Sequence, residues 1–177
     1  MEMVERTIGD KWIRMVRGDI TEIDVEAFVF DITEDAKLGS GFGGAIQQRG
    51  GIAIQKELDQ IGSVPTGDAV VTQAGILKAD FIIHVNGPKF REEDEKGKLE
   101  SAVASALARA EEKGVKRMAF PPIGTGMYQV PLDLCANVMI DTISRHLANG
   151  SNLEEVLIVV QDPREITPFE AKFKEGV

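Results

Sequence analysis

The stretch AFVFDITEDAKLGSGFGGAI, residues 27–46, sets how the rest of the chain is read. Its opening, AFVFDI (27–32), is a short apolar run of the kind that forms a buried strand. Gly39, Ser40, Gly41, Phe42, Gly43 and Gly44 follow, and a helical pattern is expected to begin near Phe42. Mechanically these six positions fit the dinucleotide fingerprint G-x-G-x-x-G. That fingerprint needs its first glycine directly after the strand, and an acid roughly 20 residues on, capping the next strand, to hold a ribose hydroxyl. Here TEDAKL (33–38) separates Ile32 from Gly39. The acids at that distance, Glu57 and Asp59, fall in a helical pattern, and the next strand starts only near Asp68. The spacing argues against a redox dinucleotide.

The physics of the loop survives that rejection. Glycines let the backbone approach an anion closely and adopt positive φ. Successive N–H groups converge into a nest, and a helix start adds its own unpaired donors and dipole. A phosphate fits such a loop without a lysine; a glycine-rich turn with no ligand fits it equally well. A second loop, PPIGTGMYQVP (121–131), tips the balance towards phosphate. It too leaves a strand and precedes a helix, its Gly124 and Gly126 are closely spaced, and Thr125 offers a hydroxyl and an amide. Two such loops at one sheet edge would hold the two phosphates of a diphosphate. Neither carries Lys or Arg at its glycines, so amides would be the main donors. Asp19, in VRGDIT (16–21), lies just past a strand and is an acceptor suited to an adenine amino group; taken alone, it reads better as a turn residue bonding its own backbone.

Around these loops, MVERTI and KWIRMV flank the turn signal Gly9-Asp10 and read as a hairpin. Residues 44–61 read as helical with a break near Gly50-Gly51, and residues 68–74 and 81–87 as strands. FREEDEKGK (90–98) reads as a solvated charged stretch. A helix is expected over 99–112, a strand at 117–123 cut short by two prolines, a helix over 132–147 and a last strand at 155–160. TPFEAKFKEG is expected to form a closing helix with Pro168 at its start. Alternating strands and helices predict one α/β domain over residues 1–177, with a largely parallel sheet and an antiparallel hairpin at an edge. Ligands of such sheets lie beyond the carboxyl ends of the strands.

Composition narrows the function. The 177 residues are 43% hydrophobic and 28% charged, an ordinary globular mix. A net charge of −9 disfavours nonspecific nucleic-acid binding, while leaving room for one anion held at short range by amides. No apolar run is long enough to cross a bilayer, and the start MEMVERTIGD lacks the basic region and apolar core of a secretory signal. Cys135 stands alone, which excludes an internal disulfide and points to a reducing, cytoplasmic setting; it reads as a small buried apolar residue. His84, in an apolar strand, reads as a packed core residue. His146, at a helix end, is explained by the helix dipole, and neither suggests a metal site.

The pieces VRGDIT, AFVFDITEDAKLGSGFGGAIQQRGG, GDAVVTQAG, FIIHVNGP, MAFPPIGTGMYQVP and VLIVVQD, in this order, resemble the macro domain family, whose members bind ADP-ribose. The resemblance implies a three-layer α/β/α fold with a mixed, mostly parallel sheet of about six strands. It implies that Asp19 accepts from the adenine amino group and that Ile20 offers its N–H to the ring. Gly39, Ser40, Gly41 and Phe42 would form the first diphosphate loop, and Gly124, Thr125, Gly126 and Met127 the second. Tyr128 would lie against the distal ribose. No cofactor or metal is implied, and the partner would be ADP-ribose or an ADP-ribosylated macromolecule.

The chain also departs from the family pattern. Where members commonly carry Asn-Ala-Ala-Asn, this sequence has Phe30-Asp31-Ile32-Thr33, so Thr33 stands at the ribose-contacting position. Hydrolytic members often have an acid just after the glycine cluster; here it is Gly43. Another subgroup pairs a lysine with an aspartate of the second loop; Tyr128 takes that aspartate's place. Gln161 stands where an adenine-stacking aromatic is common. Asp31 and Asp35 are candidates for orienting a water, set against the simpler reading of a solvated acidic loop together with Glu34. The binding features are present and the familiar catalytic groups are not. Binding of ADP-ribose therefore ranks ahead of hydrolysis of ADP-ribosyl adducts or of ADP-ribose 1″-phosphate, and ahead of a module acting through protein contacts alone.

Overall fold

The computed structural model describes residues 4–39, 41–125 and 129–175. Gly9-Asp10 turns strand β1 (Val4–Ile8) into β2 (Lys11–Arg17), and the two pair antiparallel. A single 3-10 turn, Ile20–Glu22, leads to β3 (Ala27–Asp31). Helices α1 (Gly41–Gly50) and α2 (Ala53–Ile61) follow, then β4 (Ala69–Gln73) and β5 (Phe81–Val85). The remaining elements are α3 (Glu95–Glu112), β6 (Arg117–Phe120), α4 (Leu132–Ala148), β7 (Glu155–Val160) and α5 (Pro163–Lys174).

Among the described residues the strands form one seven-stranded sheet in the order β1-β2-β7-β6-β3-β5-β4, matching the seven strand segments read from the sequence where the resemblance implies about six. The five inner strands run parallel, and β1 and β4 are antiparallel at opposite edges. The carboxyl ends of β2, β7, β6, β3 and β5 therefore share one edge of the molecule. Side-chain alternation splits the core into two layers. Ala27 and Val29 of β3 pack with Leu99 and Val103 of α3, Met139 of α4 and Phe169 of α5. Phe28 faces the other way, onto Ile46 of α1 and Ile54 and Leu58 of α2. Helices thus cover both faces of the sheet, which is the three-layer α/β/α arrangement, and β7, one of the inner strands, is buried along its whole length.

Two boundaries differ from expectation. The closing helix begins at Pro163, not Pro168, which lies inside it. The Asp162 carboxylate accepts from the N–H of Arg164, while Glu165 reaches back to the N–H of Asp162. This capping box supplies acceptors to the helix start, with Pro163 in the first turn, where no N–H is missed. Helix α3 starts at Glu95, so half of the charged stretch 90–98 is helical, capped by the Asp94 side chain on the Gly97 N–H. No helix among the described residues is long and apolar enough to cross a membrane.

Candidate functional site

A cleft of about 1430 Å³ runs along the carboxyl edge of the sheet. Strand order gives it a direction. One end is bordered by Gly18 and Ile20 after β2 and by Val159, Gln161 and Glu165 around the end of β7. The middle is bordered by Phe30 to Thr33 at the end of β3, by Leu38, Gly39, Phe42 and Gly43 of the first loop and α1, and by Pro121, Pro122 and Thr125 of the second loop. The far end is formed by Gly62, Ser63, Thr66, Asn86, Lys89 and Glu92. Both glycine loops therefore border one cavity. Ser40, Gly126, Met127 and Tyr128 lie outside the described residues.

The first loop is braced from behind. The Leu38 N–H donates to Gln55 Oε1 (2.9 Å), and Gln55 Nε2 donates to the Ala36 carbonyl (3.0 Å). Helix α1 begins at Gly41, so its first N–H groups have no partner within the helix, and Phe42 and Gly43 carry that helix start to the cleft wall. A Cβ on Gly43 would lie 1.9 Å from the Leu38 carbonyl oxygen. Position 43, where the resemblance would place an acid in a hydrolytic member, is thus closed to any side chain on this backbone. Phe30 and Phe42 stack with centroids 5.6 Å apart and form a wall of the cavity without filling it.

Asp31 differs most from its sequence reading. It ends β3 and is not part of a solvated loop. Its side chain lies on the α3–α4 face, the same face as Ala27 and Val29. Its Oδ2 accepts from the Gly124 N–H at 2.9 Å, while Oδ1 is enclosed and has no hydrogen-bond partner among the described residues. Burial pushes its carboxyl up to about 6, against the opposing pull of the Gly124 N–H. Asp35 and Glu34, by contrast, are exposed as expected, and the Thr33 hydroxyl donates to Asp35 Oδ1.

The second loop is turned partly inward. Besides the Gly124 amide given to Asp31, the Thr125 N–H points to the Pro122 carbonyl (3.5 Å) and its hydroxyl donates to the same oxygen (3.1 Å). Gly124 has φ +76, and the Val130 N–H closes the turn onto its carbonyl (2.9 Å).

At the other end, Asp19 does not border the cleft, although its neighbours Gly18 and Ile20 do. Its Oδ1 accepts from the Thr21 N–H and hydroxyl (3.0 and 2.7 Å), and its Oδ2 from Arg49 Nη1 at 2.9 Å. Partial burial raises the carboxyl, but the bonds from Thr21 and Arg49 outweigh it and hold the group below its ordinary value. Gln161 borders the cleft, its N–H held by Glu165 Oε1 (2.9 Å). His84 is buried behind the site with Nε2 2.9 Å from the Thr72 hydroxyl. Burial lowers it to about 3, so it stays neutral. His146 Nε2 meets Glu111 Oε2 of α3 at 2.7 Å, a partner more specific than the helix end alone.

Several lining residues had no sequence-level role: Phe30 as a wall, Glu165, Asn86, Lys89 and Glu92. Glu165 had a readable signal, the Asp-x-x-Glu box before a helical run. Lys89 and Glu92 had none, because chain reversal after Pro88 brings them to the cleft. Asn86 is buried with its Nδ2 donating to the Val64 carbonyl (2.7 Å).

Comparison with known proteins agrees with this geometry. Residues 32–139 match the family model described as Macro domain. A macro domain-containing protein of Caldanaerobacter subterraneus is 36% identical over 169 residues, covering 92% of this chain and 96% of its own. The O-acetyl-ADP-ribose deacetylase 1 of Pantoea vagans is 36% identical over 158 residues, covering 86% and 92%. Among solved structures, a mutant Oceanobacillus iheyensis macrodomain with ADPR superposes with a TM-score of 0.92 at 25% identity, covering 98% of each chain.

Proposed function

The chain belongs to the macro domain family, and from that premise we propose that its cleft binds ADP-ribose, free or joined to a macromolecule, with residues 1–177 acting as one binding unit. One observation carries the reading: the described residues of two glycine-rich loops, each following a parallel strand, border a single cavity large enough for a dinucleotide-sized ligand. The adenine lies at the Gly18–Ile20 and Gln161 end, with the Ile20 N–H towards the ring and the Gln161 amide over it. Asp19 does not itself border the cleft and its oxygens are taken by Thr21 and Arg49, so an acceptor role towards the amino group requires the Arg49 contact to open; as it stands the residue steadies the turn that carries Ile20. The diphosphate lies between Gly39–Phe42, where α1 adds its unpaired N–H groups, and the second loop from Gly124 to Tyr128. The distal ribose lies against the Phe30–Phe42 wall, near Thr33 and Tyr128. A lone buried thiol suits a reducing, cytoplasmic setting, and the acidic surface works against a nucleic-acid backbone.

A second reading, hydrolysis of an ester or glycosidic bond at the distal ribose, draws on the 36% identity to a protein named as an O-acetyl-ADP-ribose deacetylase. Asp31, Glu34 and Asp35 are carboxylates that border the middle of the cleft, and Asp31 and Asp35 are the candidates for orienting a water.

Calorimetric titration with ADP-ribose, with AMP as control, tests the reading. Saturable heat with ADP-ribose is expected. Its absence at sub-millimolar protein would leave a module acting through protein contacts. Gly41→Glu, which places a carboxylate at the helix start, is expected to weaken ADP-ribose binding at least tenfold while the thermal unfolding transition stays cooperative. Wild-type affinity in that variant counts against the phosphate cradle. Incubation with O-acetyl-ADP-ribose, followed by product analysis with and without Asp35→Asn, tests the second reading.

A further inference from the structure

A carboxylate in the middle of an anion site is chemically out of place. Asp31 borders the cleft between the two glycine loops, and one of its oxygens already holds the Gly124 amide that a phosphate would use. Its other oxygen, Oδ1, is enclosed without a partner among the described residues. An ionised carboxylate held in this way is costly, and bringing a doubly charged diphosphate beside it adds like-charge repulsion. Uptake of a proton on Oδ1 removes the ionic penalties and leaves Oδ2 a weaker, neutral acceptor, so that the Gly124 N–H can pass to the phosphate.

We propose that Asp31 is a built-in rival for the ligand's diphosphate, holding the second loop from inside in the empty protein and taking one proton from solvent when the diphosphate arrives, so that ADP-ribose binding is coupled to proton uptake. This rests on the reading of the cleft as an ADP-ribose site. Two titratable groups on the elements packed around Asp31 are held in their neutral forms by burial. His84 on β5 is kept neutral by burial. The Cys135 thiol on α4, donating to the Ile123 carbonyl, is pushed well up by burial and by Asp31 itself. The charged groups bordering the same cleft are Glu34, Asp35 and Lys37 beside the first loop, Lys89 and Glu92 at the far end, and Glu165 of α5.

The expected pH dependence has a definite sign. Below about 6 the carboxyl is protonated in both states and affinity is flat. Above it, the bound state keeps a proton that the empty protein loses, and affinity falls by up to about tenfold per pH unit. ADP-ribose is the appropriate probe because each of its phosphates is bridged on both sides. ADP carries a terminal phosphate whose own second ionisation, near pH 6, would confuse the result.

The experiment is calorimetry of ADP-ribose binding between pH 5.5 and 8, at each pH in two buffers of different ionisation enthalpy. Close to one proton taken up per ligand near pH 7 is expected for the wild type. Asp31→Asn, which keeps the shape and an acceptor for Gly124, is expected to bind without proton uptake and about tenfold more tightly than wild type at pH 7. Glu112→Gln, an acid at the far end of α3 that does not border the cleft, is expected to keep the wild-type pH profile. Binding by the wild type without proton uptake overturns the proposal by itself, whatever the variants do. So does an Asp31→Asn protein that binds more weakly than wild type at pH 7, or one that keeps the pH dependence. Absence of ADP-ribose binding at every pH instead removes the underlying reading of the cleft.

Discussion

Gly43 shows how little room the first loop leaves. Placing there the acid that the resemblance associates with hydrolysis requires a Cβ that would sit 1.9 Å from the Leu38 carbonyl oxygen, a backbone atom that cannot rotate away. Gly43→Asp is therefore expected to push the loop from α1 and to cost about 1–3 kcal/mol, the range for forced overpacking. A thermal melt reads that as a drop of roughly 2–4 °C per kcal/mol, and the same variant should bind ADP-ribose more weakly instead of gaining hydrolysis. A variant with unchanged melting and new hydrolytic activity would refute this account. The glycines of both loops were legible as backbone devices, since their spacing after strands says so directly. The partner of Gly124 was not. Asp31 lies 93 residues away in the chain, and nothing local distinguishes a carboxylate that bonds an amide across the sheet from one that faces water.

At the scale of elements, the helices follow their apolar stripes, and their ends follow local polar chemistry. Helix α5 illustrates both. Phe169 and Phe173 anchor it to the core beside α4, and Asp162 with Glu165 closes its first turn. Asp162→Ala removes the cap and is expected to lower stability by about 1 kcal/mol, measured as a fall in the urea midpoint at unchanged slope. Because Glu165 also holds the Gln161 N–H at the cleft end, Glu165→Ala is expected to weaken ADP-ribose binding as well as α5. An unaltered affinity would separate the cap from the site. The start of α5 was misread at Pro168 because proline is common in a first turn, whereas the Asp-x-x-Glu pair was the stronger signal. The early start of α3 was hidden by its charge, since a solvated first turn carries no apolar stripe.

For the molecule as a whole, two buried groups oppose one another in acid. Between the ordinary carboxylate value of 3.8 and about 6, the folded chain holds a proton on Asp31 that the unfolded chain does not, so this group's contribution to stability falls as the pH rises. His84 acts in the opposite sense. Between about 3 and 6.5 the unfolded chain binds a proton that the folded chain excludes, so stability falls as the pH falls. The two slopes largely cancel in the window they share. Asp31→Asn is therefore expected to leave His84 unopposed, making the loss of stability below pH 6 steeper than in the wild type by up to about 1.4 kcal/mol per pH unit. Urea unfolding at pH 4.5, 5.5 and 6.5 checks this, and parallel profiles for the two proteins would contradict it. The alternation of strands and helices, the two amide-rich loops and their place after parallel strands were determined by the sequence itself, because apolar periodicity and glycine spacing act over a few residues at a time. The tertiary structure alone decided that β4 closes the second edge antiparallel, that Arg49 holds Asp19, that Lys89 and Glu92 reach the cleft, and that Asp31 occupies an amide of the anion loop. Each of those is a contact between segments far apart in the chain, set by how the layers pack and which groups that packing shields from water.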